Sequence, residues 1–109
     1  MRASKYHAKP TILDGIRFAS KREANRYREL KLLERAGSIR HLELQKRFSL
    51  LVAGEKVATY IADFVYEEII CNGYEFQEVV EDCKGFRTRE YKLKKKIFEA
   101  MYNTRIRET

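Results

Sequence analysis

The sequence predicts an α/β domain in which a mixed, mostly antiparallel central sheet is flanked by two main helices. Several short apolar runs are separated by two-residue turn signals, which is typical of β-hairpins. Two longer stretches instead repeat their apolar residues with the period of a helix. Because hairpins dominate the order, little room is left for repeated strand–helix–strand units, and an antiparallel arrangement is favoured.

The composition indicates one folded domain over residues 1–109 and a polyanionic partner. The chain is 44% hydrophobic and 12% aromatic, which argues against disorder. Lys and Arg outnumber Asp and Glu by 23 to 16, so the formal net charge is +7. A small domain this basic suits nucleic acid, although the same charge would also serve solubility.

Cysteine content and hydropathy indicate a cytoplasmic protein that does not contact membranes. Two cysteines, Cys71 and Cys83, do not make a disulfide framework. The N-terminus is basic and polar, unlike a signal peptide, and no run approaches the roughly 20 apolar residues of a membrane span. The two histidines, His7 and His41, lack the close paired spacing with cysteine that zinc sites show.

The first twenty residues predict a basic arm followed by a hairpin. Residues 1–10 are basic and contain little that can pack, so we expect a flexible arm whose Lys5 and Lys9 contact phosphate; an ordinary frayed terminus fits equally well. Asp14-Gly15 lies between the apolar runs 11–13 and 16–18, which is a strong signal for a short β-hairpin.

A helix is predicted from a cap at Ser20 to about Ala36, with Gly37 just beyond its end. Its expected apolar stripe is Ala24, Tyr27, Leu30 and Leu33. Glu23 falls near the middle of that stripe, and two interpretations compete. It completes a capping box with Ser20, or it projects from the helix as a functional acid toward a metal site.

The middle of the chain predicts short strands joined by turns. Strands are expected at residues 39–45, 48–52, 57–66 and 74–84, with turns at Gly54-Glu55-Lys56 and Asn72-Gly73. Gln45 lies between charged and apolar neighbours, and we expect it near the functional site.

A second helix, about 89–102, is predicted after a cap at Thr88. Its expected stripe is Tyr91, Leu93, Ile97, Phe98 and Met101. Lys94 lies within this stripe, either packing its stem with its head in water or serving as a cation beside the functional site. Residues 105–107 form a last edge strand or fray.

Charged residues in two of the apolar strands are the strongest functional signal. Asp63 lies inside one strand, and Asp82 and Lys84 end the next. Residues i and i+2 share a face of a strand, so Asp82 and Lys84 point one way and Glu81 the other. Burying such groups is costly unless they are paired, and two carboxylates that bind a divalent metal would offset the cost. The ordinary alternative is a structural salt bridge between Asp82 and Lys84.

Several motifs in order carry a family resemblance. They are Asp14-Gly15-Ile16-Arg17-Phe18, Ser20-Lys21, Glu23-Ala24, Arg26-Tyr27, Leu30, Tyr60-Ile61-Ala62-Asp63-Phe64, Glu81-Asp82-Cys83-Lys84-Gly85 and Tyr91-Lys92-Leu93-Lys94. The acid and the later acid-x-lysine resemble the core of PD-(D/E)XK nucleases, although Ala62 stands where the name has proline. Nearly the whole chain is similar to a phage-encoded family of unknown function related to junction-resolving endonucleases.

The resemblance implies a restriction-endonuclease-like core that binds Mg²⁺ or Mn²⁺. The implied metal ligands are Asp63, Asp82, the backbone carbonyl of Cys83 and, as an additional acid, Glu23. Lys84 would hold the attacking water or neutralise developing charge. Glu23, Asp63, Asp82 and Lys84 are thus the expected catalytic residues, and Gln45 and Glu81 are further candidates. The expected DNA contacts are Lys5, Lys9, Arg22, Arg26, Lys94 and Lys95.

The expected function is a metal-dependent DNA endonuclease acting on branched recombination or replication intermediates in the cytoplasm of a phage host. Since a junction resolvase cuts two strands symmetrically, we expect a homodimer. One alternative is a non-catalytic basic nucleic-acid-binding domain in a phage protein complex, whose binding would be salt-sensitive but independent of metal. Another is an interaction module with neither property.

Overall fold

A computed structural model describes residues 10–71, 73–84 and 86–109 and confirms the predicted α/β class. Its elements are β1 (Thr11–Leu13), β2 (Ile16–Phe18), α1 (Lys21–Arg35), β3 (Ile39–Val52), β4 (Glu55–Ile69), β5 (Phe76–Asp82), α2 (Arg89–Tyr102) and β6 (Ile106–Glu108). The expected basic arm, with Lys5 and Lys9, and the turn residue Asn72 lie outside the described residues.

The central sheet has four strands in the order β3-β4-β5-β6, and a separate hairpin joins β1 to β2. The first three strands of the sheet pair antiparallel, whereas β6 pairs parallel with β5. The sheet is therefore mixed and mostly antiparallel, as predicted. Of the two outcomes left open for residues 105–107, the edge strand is observed, one residue further along.

Each face of the sheet is covered by one helix. Residues of α1 share a buried cluster with Phe64, Tyr66 and Val79, whereas residues of α2 share another with Val65 and Val80. Neighbouring residues of β5 therefore enter different clusters, as the alternation of side chains along a strand requires. This arrangement gives the end of β5 two separate environments, one beneath each helix.

The two short strands predicted at 39–45 and 48–52 are one continuous strand, β3. The prediction was wrong because β4 pairs along the whole of β3, including Lys46 and Arg47, where the sequence predicts a break. The strand also continues through His41 and Gln45, where φ is +58° and +53°. The following turn consists of Ala53 and Gly54, both with positive φ, and β4 already begins at Glu55. A two-residue turn of this kind matches the right-handed twist of the paired strands.

Both helices form where predicted, but one residue of the first predicted stripe and two of the second are wrong. Leu33 is 37% exposed, Leu93 is 60% exposed and Met101 is 38% exposed. Each three-residue step along a helix falls about 60° short of a full turn, so Leu33 has rotated about 180° away from Ala24. Leu93 lies about 200° around the helix from the buried Tyr91 and therefore faces solvent.

Neither helix in the described part of the chain is long and apolar enough to cross a bilayer. Cys71 and Cys83 are both free thiols.

Candidate active site

Three carboxyl groups from three different elements meet at one end of the sheet. Glu23 comes from the first turn of α1, Asp63 from β4 and Asp82 from the last position of β5. The Asp63 and Asp82 carboxyls are close enough to shift each other's pKa, Asp63 also feels the charge of Glu23, and Glu23 feels that of Asp82. The structure thus brings together the three acids that the sequence singled out.

Asp63 reaches this cluster because the alternation of β4 is interrupted around it. Ala62 and Val65 both enter the cluster beneath α2, although three residues separate them, whereas Phe64 enters the cluster beneath α1. A regular strand would place residues three apart on opposite faces. Asp63 is half-buried at this interruption, and its Oδ2 accepts a hydrogen bond from the backbone N–H of Cys83 at 2.9 Å.

Gln45 lies opposite Asp63 on β3, since the flanking pairs are Leu44 with Phe64 and Lys46 with Ala62. Its backbone has a φ of +53°, which is uncommon for a residue with a side chain. Its Nε2 donates to Glu23 Oε2 and to Asp63 Oδ1, each at 3.3 Å. The amide therefore ties the acid of α1 to the acid of β4, near the site as the sequence suggested.

The two interpretations of Glu23 are separated by where its atoms point. The hydroxyl of Ser20 accepts a hydrogen bond from the Glu23 backbone N–H at 3.1 Å, so the helix is capped. The carboxylate of Glu23, however, bonds to Gln45 instead of returning to the backbone of Ser20. Only half of a capping box forms, and the 7% exposed carboxylate faces the acid cluster.

Asp82 is fully buried, and its two oxygens have different surroundings. Oδ2 accepts a hydrogen bond from the Tyr60 hydroxyl at 2.5 Å. Oδ1 lies 3.1 Å from Lys84 Nζ, but within the described residues no group has the angles of a hydrogen bond to it. The Lys84 ammonium also lies 4.7 Å from the centre of the Tyr91 ring, which holds it over an aromatic face.

The surroundings of the three acids favour their protonated forms. Burial, followed by the charge of Asp63, raises the pKa of Asp82 to about 7. Burial likewise raises the pKa of Asp63 above its ordinary value, with the Glu23 charge acting in the same direction, and it raises that of Glu23, with the Asp82 charge adding to the effect. Lys84 opposes all three shifts. Carboxyl groups that repel one another in a dry site are typical of functional positions.

The residues present suit a magnesium-type ion. Mg²⁺ usually binds one or two carboxylates and keeps several waters, and here two carboxylates meet with one oxygen lacking a hydrogen bond. Within residues 10–71, 73–84 and 86–109, no group of three or more acid, histidine or cysteine side chains is arranged so that it could hold a metal ion by itself. The donor set therefore fits an ion with water ligands better than one enclosed by protein.

Glu81, a further candidate from the sequence, is fully buried on the other side of β5. Arg26 binds it through Nε at 2.6 Å and Nη2 at 3.0 Å, the Thr109 hydroxyl donates to it at 3.0 Å, and the Tyr66 hydroxyl also donates. Glu81 therefore lies in a satisfied network away from Asp82. The Cys83 thiol also avoids the acids, contacting the Thr109 hydroxyl at 3.2 Å.

The cations expected to contact DNA have varied surroundings. Arg26 is engaged by Glu81, whereas Arg22 is exposed and donates to the Thr109 carbonyl at 3.3 Å. Lys94 pairs with Glu90 of its own helix at 3.0 Å, and Lys95 lies 3.6 Å from Glu108. The two lysines are partly buried and paired, so Arg22 is the most available of these four described cations.

Sequence reasoning missed Tyr60, whose hydroxyl holds Asp82. An aromatic residue three positions before Asp63 is expected to fill the core, and the Tyr60 ring does stack on Phe48 at 6.3 Å and packs at a tilt against Phe98 at 5.2 Å. The signal that distinguishes it is its buried hydroxyl, which must find a partner and finds the acid of the neighbouring strand.

No curated protein and no solved structure matches the chain. The model of the family described as "Protein of unknown function (DUF1064)" matches residues 3–108. Because this match includes every element of the fold and every residue of the acid cluster, the chain belongs to that family.

Proposed function

We propose that the protein is a metal-dependent DNA endonuclease of the PD-(D/E)XK type. The supporting observation is the convergence of Glu23, Asp63 and Asp82 beside Lys84, with one buried oxygen of Asp82 that has no hydrogen bond from the described part of the chain. A structural salt bridge would need only Asp82 and Lys84. Two further acids, of which Asp63 raises the pKa of Asp82 and Glu23 raises that of Asp63, work against stability, so their presence supports a role in binding a cation.

In this proposal the chain's own groups divide the work. Asp63 and Asp82, with the Cys83 carbonyl, hold Mg²⁺ or Mn²⁺, which when bound supplies an acidic water and polarises the phosphate. Lys84 lies beside Asp82 Oδ1, where its ammonium can orient a water or neutralise charge on a phosphoryl oxygen. Glu23 accepts a proton or adds a water-mediated contact, and Gln45 orients it.

The substrate we propose is branched DNA of the kind formed in recombination or replication, cut by a homodimer. The net charge of +7 supports a polyanionic substrate, and the described residues form one small sheet with two helices and contain no separate module for reading bases. Selection by shape is therefore favoured over selection by sequence. Two copies of the site would be required to cut two strands symmetrically.

The test is cleavage of a four-way junction, a linear duplex and a single strand, each with Mg²⁺, with Mn²⁺ and with a chelator. We expect cutting that requires metal and is fastest on the junction. Asp82→Asn should lower the rate at least about 100-fold by weakening the metal site, and Lys84→Met should lower it about 100- to 1000-fold.

The matched control is Glu78→Gln, which removes the same charge from an exposed position of the same strand. It should cleave at the wild-type rate. Salt-sensitive binding without cutting on any substrate would reject the nuclease and favour the non-catalytic binding domain. Equal cutting of all three substrates would retain the nuclease and reject the preference for junctions.

A further inference from the structure

A second polar surface adjoins the acid cluster along the outer side of α1. It is an open groove of about 580 Å³, lined among others by Arg22, Asn25, Arg26, Arg28 and Glu29 of the helix and by Cys83. The spacing i, i+3, i+4 and i+7 is followed by four of them, Arg22, Asn25, Arg26 and Glu29. These four therefore form one stripe beside the stripe that packs on the sheet. The helix thus presents its apolar side to the core and a basic side to this groove.

The charge available in the groove comes from Arg22 and Arg28. Arg26 is already committed, since it binds Glu81 through two nitrogens and its Nη1 lies 3.4 Å from Glu29. The contact with Arg26 also offsets the negative charge of Glu29, the acid among the described residues that line the groove. Both Arg22 and Arg28 are exposed, and no acidic partner for either is found among the residues the structure describes.

The groove meets the candidate active site at Cys83. The side chain of Cys83 lines the groove, while its backbone N–H holds Asp63 Oδ2 at 2.9 Å. A strand whose phosphate lies at the acids must leave the site across neighbouring surface. The groove is a basic exit that starts one residue from Asp82.

We propose that this groove binds the sugar–phosphate backbone of the nucleic acid strand beside the phosphate that is cut. Arg22 and Arg28 contact phosphates, and the amide of Asn25 donates to a phosphate or sugar oxygen between them. The helical rise separates the two arginines by about 9 Å, enough to reach different phosphates of one strand. Such contacts position the strand without reading its sequence. The inference rests on the proposed function for the identity of the ligand.

The test measures DNA binding in a chelator, so that cleavage cannot interfere. A fluorescein-labelled single strand and a duplex are titrated by anisotropy at a series of salt concentrations, comparing wild type with Arg22→Gln/Arg28→Gln. The slope of log K against log salt should become less negative by between about 1 and 2, since each lost phosphate contact contributes about 0.7 to 0.9. Asn25→Ala should weaken binding several-fold with the slope unchanged.

The control variant is Lys92→Gln/Lys96→Gln, which removes the same two charges from exposed positions of α2, on the other side of the sheet. Its slope should stay close to wild type. If the slope becomes less negative by the same amount in both double variants, only the total charge matters and the groove is rejected. All the substituted side chains are exposed, and circular dichroism with thermal melting verifies that each variant is folded.

Cleavage assays keep this inference separate from the nuclease proposal. Suppose that wild type binds DNA but never cuts it, and that the salt dependence of binding weakens in the arginine variant and not in the lysine variant. The nuclease proposal then fails, and the groove stands as a nucleic acid site. If wild type cuts DNA and the arginine variant has the same slope of log K against log salt as wild type, the nuclease proposal stands and the groove is rejected.

Discussion

Two adjacent acids at the end of β5, Glu81 and Asp82, are both fully buried, but their carboxylates have opposite surroundings. Glu81 meets a guanidinium through two hydrogen bonds and two hydroxyl donors. Asp82 meets one hydroxyl, a lysine and two more acids, and one of its oxygens lacks a hydrogen bond among the described residues.

The contrast shows how a buried charge used for folding differs from one kept for binding. The free-energy cost of burying Glu81 is offset within the protein, and its partner Arg26 fastens α1 to β5. Because Arg26 lies one turn after Glu23, and Glu81 lies one residue before Asp82, this pair also sets how closely the acid of the helix approaches the acid of the strand. The fully hydrogen-bonded pair of Arg26 and Glu81 thus positions the acids Glu23 and Asp82.

The largest effect on stability is expected from breaking the buried ion pair between Arg26 and Glu81. Glu81→Gln leaves Arg26 facing a neutral group, and we expect the free energy of unfolding to fall by about 3 kcal/mol in urea denaturation. Asp82→Asn should cost little or be stabilising at neutral pH, because it removes a charge from an acidic cluster. A larger loss for Asp82→Asn than for Glu81→Gln would contradict the comparison.

The exposed pair of Arg40 and Glu67 provides the control, with 2.9 Å between nitrogen and oxygen. Glu67→Gln removes the same charge as Glu81→Gln and leaves an arginine, and the neighbouring His41, without their acid. Since solvent screens this pair, we expect a much smaller loss of stability than for Glu81→Gln.

The second expected effect is a pH dependence that belongs to Asp82. Its pKa is raised to about 7 in the folded protein, so the folded state binds this proton more tightly than the unfolded state. The resulting stabilisation is complete below about pH 4 and is lost as the pH rises through about 7. In a chelator, the free energy of unfolding of wild type relative to Asp82→Asn should therefore fall by roughly 2–4 kcal/mol between pH 4 and pH 8.

Thermal melts at several pH values measure this difference, and adding Mg²⁺ at pH 8 sharpens it. An ion that binds only the folded state should raise the melting temperature of wild type and leave that of Asp82→Asn nearly unchanged. A parallel pH dependence for the two proteins would show that Asp82 is not the group responsible.

The parts of the fold that the sequence predicts are those encoded by neighbouring residues. The turn at Asp14-Gly15 and the cap at Ser20 form as expected because each depends on contacts within three or four positions. The single long β3 was not predicted, since the pairing of Lys46 and Arg47 with distant residues of β4 closes the break expected at these two positions.

The same division applies to the candidate site. The meeting of Asp63 and Asp82 follows from an antiparallel pair that the turn near Gly73 predicts. The direction of Glu23 could not be decided locally, because it depends on Gln45, which lies 22 positions away. The pairing of Arg26 with Glu81 spans 55 positions and carries no local signal, so Arg26 was predicted to contact DNA.

The smallest and most selective effect is expected from two tyrosines of β4. Tyr60 donates its hydroxyl to Asp82 and Tyr66 donates to Glu81, so each Tyr→Phe substitution removes one hydrogen bond from one of the two acids. Each should lower the free energy of unfolding by about 1 kcal/mol. Only Tyr60→Phe should also raise the Mg²⁺ concentration needed for half-maximal cleavage, by about 10-fold, since it frees a proposed metal ligand from its support. Cleavage titrations with both variants measure this, and an equal shift in Tyr66→Phe would mean that the two sides of β5 are not independent.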